Sequence, residues 1–112
     1  FGVPGTLAGA VGHIDCFPNV WARPMVEMWQ AAEARDMAKA NPLQAKGRAL
    51  TDLFVANGRN LYCATKAAMN MLGLPGGYPR LPLRPLGAAQ QAELRVGLAR
   101  LGFAVEHAAA AQ

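Results

Sequence analysis

The hydrophobic pattern of the chain changes character near residue 17. Residues 5–12, Gly-Thr-Leu-Ala-Gly-Ala-Val-Gly, form a short, unbroken run of small and apolar residues bounded by glycines. Such a run fits a strand buried on both faces, as in a parallel sheet, and a buried helical turn satisfies the same pattern. Beyond it the spacing is helical. Met25, Met28, Trp29 and Ala32 fall at i, i+3, i+4 and i+7, which predicts a helix over 22–34, with Pro24 near its start, where proline is tolerated. Asp36 can cap a second helix whose stripe is Leu43, Gly47, Leu50, Leu53 and Phe54, and Pro42 inside it is expected to kink the helix or delay its start. Asn57-Gly58 ends that helix, because both residues tolerate the left-handed conformation. A third helix starts near Asn60, carries Leu61, Ala64, Thr65, Ala68 and Leu72 on one face, and stops at Gly73. Pro75, Pro79, Pro82 and Pro85 then enforce an extended crossing. A last helix over 88–101 presents Leu94, Leu98 and Leu101, with Gly102 closing it. The tail, 104–112, has no partner signal and is expected to be disordered.

One strand and about four helices cannot make a sheet. Either the run near residue 8 is not a strand, or its pairing partners lie in sequence outside this chain. Composition favours the second possibility. The 112 residues fall below a typical domain of ~150, which excludes a multidomain machine and leaves room for one modest core. Charged residues are 16%, against about 25% in ordinary soluble domains, and alanine fills 23 positions. That surface suits a segment covered by other protein, and the start at Phe1 rather than methionine reads the same way: a fragment is expected. The net charge of +4 is scattered with no basic cluster, so no nucleic-acid partner is expected. No run approaches the ~18 apolar residues of a membrane span and no signal-peptide pattern is present, so no membrane partner is expected either. Cys16 and Cys63 lie in apolar stretches, as reduced core cysteines do, and a cytoplasmic location fits them.

The order of these signals resembles a known family. A glycine-bounded run leads into Phe17-Pro-Asn-Val and a helix with Met25-Val-Glu-Met-Trp. Ala34-Arg-Asp opens a helix ending in Leu53-Phe54; Ala64-Thr-Lys-Ala-Ala-Met-Asn-Met-Leu-Gly-Leu-Pro-Gly-Gly, Arg80-Leu-Pro-Leu-Arg-Pro-Leu and Leu101-Gly-Phe follow. Together they look like the C-terminal third of the dihydrodipicolinate synthase and N-acetylneuraminate lyase family, Schiff-base aldolases and dehydratases built on an α/β fold, the (β/α)8 TIM barrel. The resemblance implies a last barrel strand and its helix over 1–35, then a C-terminal helical region over 36–103. It also implies a substrate that is a 2-oxo acid such as pyruvate and no cofactor beyond an imine to a lysine upstream of this chain. The full-length parent would be a homo-oligomer, a tetramer. The rival reading, from another class, is a small non-catalytic helical interaction module.

Barrel enzymes act at the C-terminal ends of their strands. The resemblance therefore places Leu7, Ala8 and Gly9 in the pocket lining, and His13 and Asp15 at its mouth. Some members carry a serine where this chain has Ala8-Gly9. No catalytic residue is expected here, since the family's lysine and tyrosine lie on earlier strands. Lys66 is mid-helix, matching the family's helical lysine rather than its nucleophile. Lys39 and Lys46 ride away from the Leu43, Leu50 and Phe54 stripe and are expected to be solvated. His13, Asp15 and Cys16 offer two ligands to one side of an extended segment, short of the three or four a zinc site needs, with the remaining histidine, His107, in the tail. Gly2, Gly5, Gly9 and Gly12 lack the lysine and hydroxyl of a phosphate loop. Trp21, Trp29 and the methionines read as packing residues, and Arg80 and Arg84 as ion-pairing partners of neighbouring helices.

Overall fold

The structure, a computed structural model, describes residues 1–105. Five helices follow one another: α1 (Gly2–Leu7), α2 (Pro18–Glu33), α3 (Met37–Val55), α4 (Leu61–Met71) and α5 (Ala88–Arg100), with a 3-10 turn at Ala56–Gly58. The four helices expected after residue 17 are therefore present. None among the described residues is long and apolar enough to cross a membrane. Most of the expected tail, including His107, lies outside the described residues, but Val105 packs against the larger core.

The expected strand is not formed. Gly2–Leu7 is helical, and the helix closes its own bonds: Gly5 N–H donates to Phe1 O at 2.9 Å and Ala8 N–H to Pro4 O at 3.0 Å. A strand with no neighbour among the described residues would leave those groups unpaired, and a helix satisfies them locally. Residues 8–16 then run without regular structure into α2.

The cap chemistry sets the remaining boundaries. Phe17 precedes α2 with Pro18 at its first position. Trp21 leaves the helical region (φ −148°, ψ 52°), one turn before Pro24, which has no N–H to bond Val20. Regular helix thus begins at about residue 22, as the spacing predicts. Asp36 caps α3 by accepting from Lys39 N–H at 3.1 Å. Pro42 neither kinks nor delays α3, which starts at Met37 and keeps a helical backbone through it. The missing bond would have gone to the carbonyl of Ala38, which like Pro42 is exposed. Asn57 (φ 54°) and Gly58 (φ 72°) supply the left-handed exit from α3. Asn60 caps α4, accepting from Tyr62 and Cys63 N–H at 3.1 and 3.2 Å.

Two apolar clusters hold the helices together. The larger joins α3, α4 and α5 through Leu50, Phe54, Cys63, Ala68, Leu94 and Leu98, with Phe17 and Leu86 entering from irregular segments. The smaller joins α1, α2 and α3 through Val3, Met28, Ala31, Ala32 and Ala40. Gly47 is where they approach: a Cβ there would stand 2.8 Å from the Phe17 ring, so only glycine lets that ring lie on α3. The small residues conspicuous in the sequence are thus the means of close helix approach.

Candidate functional site

A cleft of about 440 Å³ opens where α1 and the segment before α2 meet α3. It exists because Gln44 on α3 accepts from Val3 N–H at 2.9 Å, which ties α1 down beside it. Asp15, Arg48, Thr51 and Asp52 supply its polar side and Pro4 and Phe17 its apolar side. Arg48 Nε and Asp52 stand 3.7 Å apart, both well exposed. Asp15 Oδ1 accepts from Cys16 N–H at 2.6 Å, so this carboxylate is oriented by its own backbone.

Of the residues expected to line a pocket, only Asp15 reaches this cleft. Leu7 ends α1 at 43% exposure, and Ala8 and Gly9 (φ 98°) are exposed beyond it. The structure gathers these three on the outer edge of α1, away from the cleft lining. His13 stacks on Trp29 with ring centroids 5.4 Å apart and lies against Gly2, so it fastens the loop to α2. Cys16 is half-buried; burial pushes its thiol above the ordinary value, the Asp15 carboxylate adds to this, and a Thr65 hydrogen bond opposes it. It stays protonated near neutral pH and is a weak nucleophile. Among the described residues no three histidine, cysteine or acidic side chains converge as a metal site.

No lysine lines the cleft. Lys66 Nζ donates to Gly76 O at 2.9 Å on the other side of α4. Lys46 departs from expectation: its ammonium is half-buried over the Trp21 and Phe103 rings, 5.1 and 5.0 Å from their centroids. Cation–π attraction to two rings from different elements holds it off the solvent. Lys39 is exposed as expected. Arg80 and Arg84 are exposed and make no ion pair among the described residues, contrary to expectation.

The sequence reading missed one buried charge. Arg59, 5% exposed, donates to Glu93 Oε2 at 2.9 Å and to Leu53 O at 2.7 Å, while Asn57 Nδ2 donates to the same Glu93 oxygen at 2.8 Å. This pins the turn after α3 to α5. The one available signal was Arg59 directly after the Asn57-Gly58 stop, too common a pattern to single out. The Asn57 hydrogen bond holds the Glu93 carboxyl below its usual range; desolvation opposes it, and the hydrogen bond and positive charge of Arg59 add to the lowering. A depressed carboxyl contributes stability above its unfolded pKa, ~4.3, and loses it as pH falls through the lower folded value. Glu93→Gln is therefore expected to flatten the acid limb of a stability–pH curve below about pH 4.3, measured by denaturant titration at each pH. The contribution is small, because the group is solvent-exposed.

Comparison with known proteins gives a family match over nearly the whole of the described chain. Residues 2–101 match the model of the Dihydrodipicolinate synthetase family. The chain belongs to that family. That family is one of TIM-barrel enzymes, whereas the described residues of this chain are helical with no strand. An uncharacterized DapA-like lyase of Rhizobium meliloti is 37% identical over 93 residues, covering 83% of this chain and 31% of the relative. The 4-hydroxy-tetrahydrodipicolinate synthases of Acidiphilium cryptum and Anaeromyxobacter dehalogenans (strain 2CP-C) are 34% and 35% identical, over 86% and 90% of this chain and 32% and 34% of theirs. The chain spans about a third of the length of the curated relatives it matches. No solved structure matches it at a significant level.

Proposed function

We propose that these residues are the C-terminal third of a Schiff-base lyase acting on pyruvate or another 2-oxo acid, and that they buttress the catalytic barrel without supplying the imine lysine. The observation that carries this is the cleft's chemistry in a chain of this family. It offers carboxylates, an amide, a hydroxyl and a guanidinium but no lysine, and each lysine is engaged or exposed elsewhere. Imine formation requires an unprotonated amine beside the carbonyl carbon. In this reading the nucleophile and a proton-relaying tyrosine come from the other two-thirds of the enzyme, which needs no further cofactor. Phe1, Val11 and Ile14, all nearly fully exposed, belong to the face that meets the barrel, with Leu7 to Gly9 at the pocket edge and His13 and Asp15 near its mouth. The complete enzyme is a cytoplasmic homotetramer.

An imine of pyruvate loses a methyl proton to give an enamine, and in heavy water it regains a deuteron. The full-length polypeptide is expected to exchange the methyl protons of pyruvate, followed by proton NMR, while the 112-residue chain leaves them untouched. Exchange by the short chain, or none by the long one, contradicts the proposal.

A further inference from the structure

We propose that residues 73–87 form a strap that opens and closes as a unit over α4 and α5, latched by Lys66 and Asn70, and that the Lys66 amine is released only when the strap opens. Lys66 and Asn70 stand four apart on α4 and so share a face. Lys66 Nζ donates to Gly76 O at 2.9 Å. Asn70 pairs with the next residue both ways: its Nδ2 donates to Gly77 O at 3.0 Å and its Oδ1 accepts from Gly77 N–H at 3.1 Å. Two side chains thus grip two consecutive peptide units. The grip is keyed to glycine. Gly76 is buried, and a Cβ there would stand 2.7 Å from Asn70 Oδ1 and 2.9 Å from Met69 Cβ, and would collide with the Lys66 carbonyl.

The far end of the strap has its own anchor. Leu86 is buried in the larger core with Leu83 packed against it, and Gln91 Nε2 donates to Leu86 O at 2.7 Å. Between the anchors Tyr78 and Leu81 are 83% and 84% exposed. The four prolines remove N–H donors, so the strap has little backbone bonding of its own. α4 and α5 close their own ladders, and the strap's backbone joins them only at its ends: Gly73 and Leu74 N–H donate to Asn70 O at 3.2 Å and Met69 O at 2.8 Å, and Gly87 O accepts from Gln91 N–H at 2.9 Å. A segment with few internal bonds, tied at its two ends and by the side chains of Lys66 and Asn70 between them, is the kind that opens locally below the global unfolding free energy.

The test uses the full-length polypeptide, a water-soluble succinimidyl ester that acylates free amines, and peptide mass spectrometry with Lys39 as the internal reference. In the unaltered protein Lys66 is expected to acylate about tenfold more slowly than Lys39, the effect of the net hydrogen bond it must first lose. Asn70→Ala removes two of the latch bonds from an exposed position. It is expected to raise the Lys66 rate severalfold, leave the Lys39 rate unchanged, and speed amide hydrogen exchange in peptides from 73–87 but not from α3. Lys66 labelling as fast as Lys39 in the unaltered protein overturns the proposal. So does an Asn70→Ala variant in which the strap is unchanged, or in which α3 exchanges faster to the same degree.

Discussion

Phe54→Ala is expected to destabilise the chain by ~3–5 kcal/mol, the usual loss for truncating a fully buried aromatic residue. Phe54 is completely buried and sits among Leu50, Leu94 and Leu98, where α3 meets α5. Those neighbours lie on ordered helices and cannot collapse far into the space left, so the void adds to the lost transfer free energy. Domains are stable by only ~5–15 kcal/mol in all, so one substitution removes a large fraction. Val96→Ala is the control. Val96 lies on α5 at 50% exposure and is expected to change stability by about 0.5 kcal/mol or less. Urea titration of the helical circular dichroism signal compares the two. Equal midpoints would mean that the larger cluster is not the core that holds these helices.

The parts legible in the sequence are those governed by contacts a few residues apart. Asp36 and Asn60 each cap a helix through their own backbone neighbours, and Asn57-Gly58 turns the chain by its own conformational preference. The run over 5–12 is unbroken small and apolar and carries no period. Its conformation depends on what is available to pair with it, and local closure won. Pro42 lies within α3 without breaking it, because the packing of Ala40, Gly47, Leu50 and Phe54 along the helix outweighs the bond that proline removes. The spacing on its own helix puts Lys46 in solvent, whereas its position over Trp21 and Phe103 is set by α2 and the segment after α5. The Arg59–Glu93 bond joins residues 34 apart, and nothing local to either encodes the other.

The candidate site divides the same way. The place of Lys66 among alanines on a helix is legible in the sequence; its grip on Gly76, ten residues on, is not. Asp15, which the family resemblance puts at a barrel pocket's mouth, borders a cleft between α1 and α3 in this chain. Its companion His13, put there by the same resemblance, stacks on Trp29, because an aromatic face within reach offers a half-buried imidazole more than open solvent does.

The central claim is that this chain belongs to an imine-forming lyase yet holds no imine-forming lysine, and borohydride trapping tests it most directly. Borohydride reduces an imine between pyruvate and a lysine to a stable secondary amine, fixing the mark on the residue that formed it. Incubating the full-length polypeptide with pyruvate and borohydride, then mapping peptides by mass spectrometry, is predicted to give one adduct per chain on a lysine outside these 112 residues. Lys39, Lys46 and Lys66 are predicted to remain unmodified. Stoichiometric trapping on Lys66 would contradict both the site assignment and the latch that holds its amine.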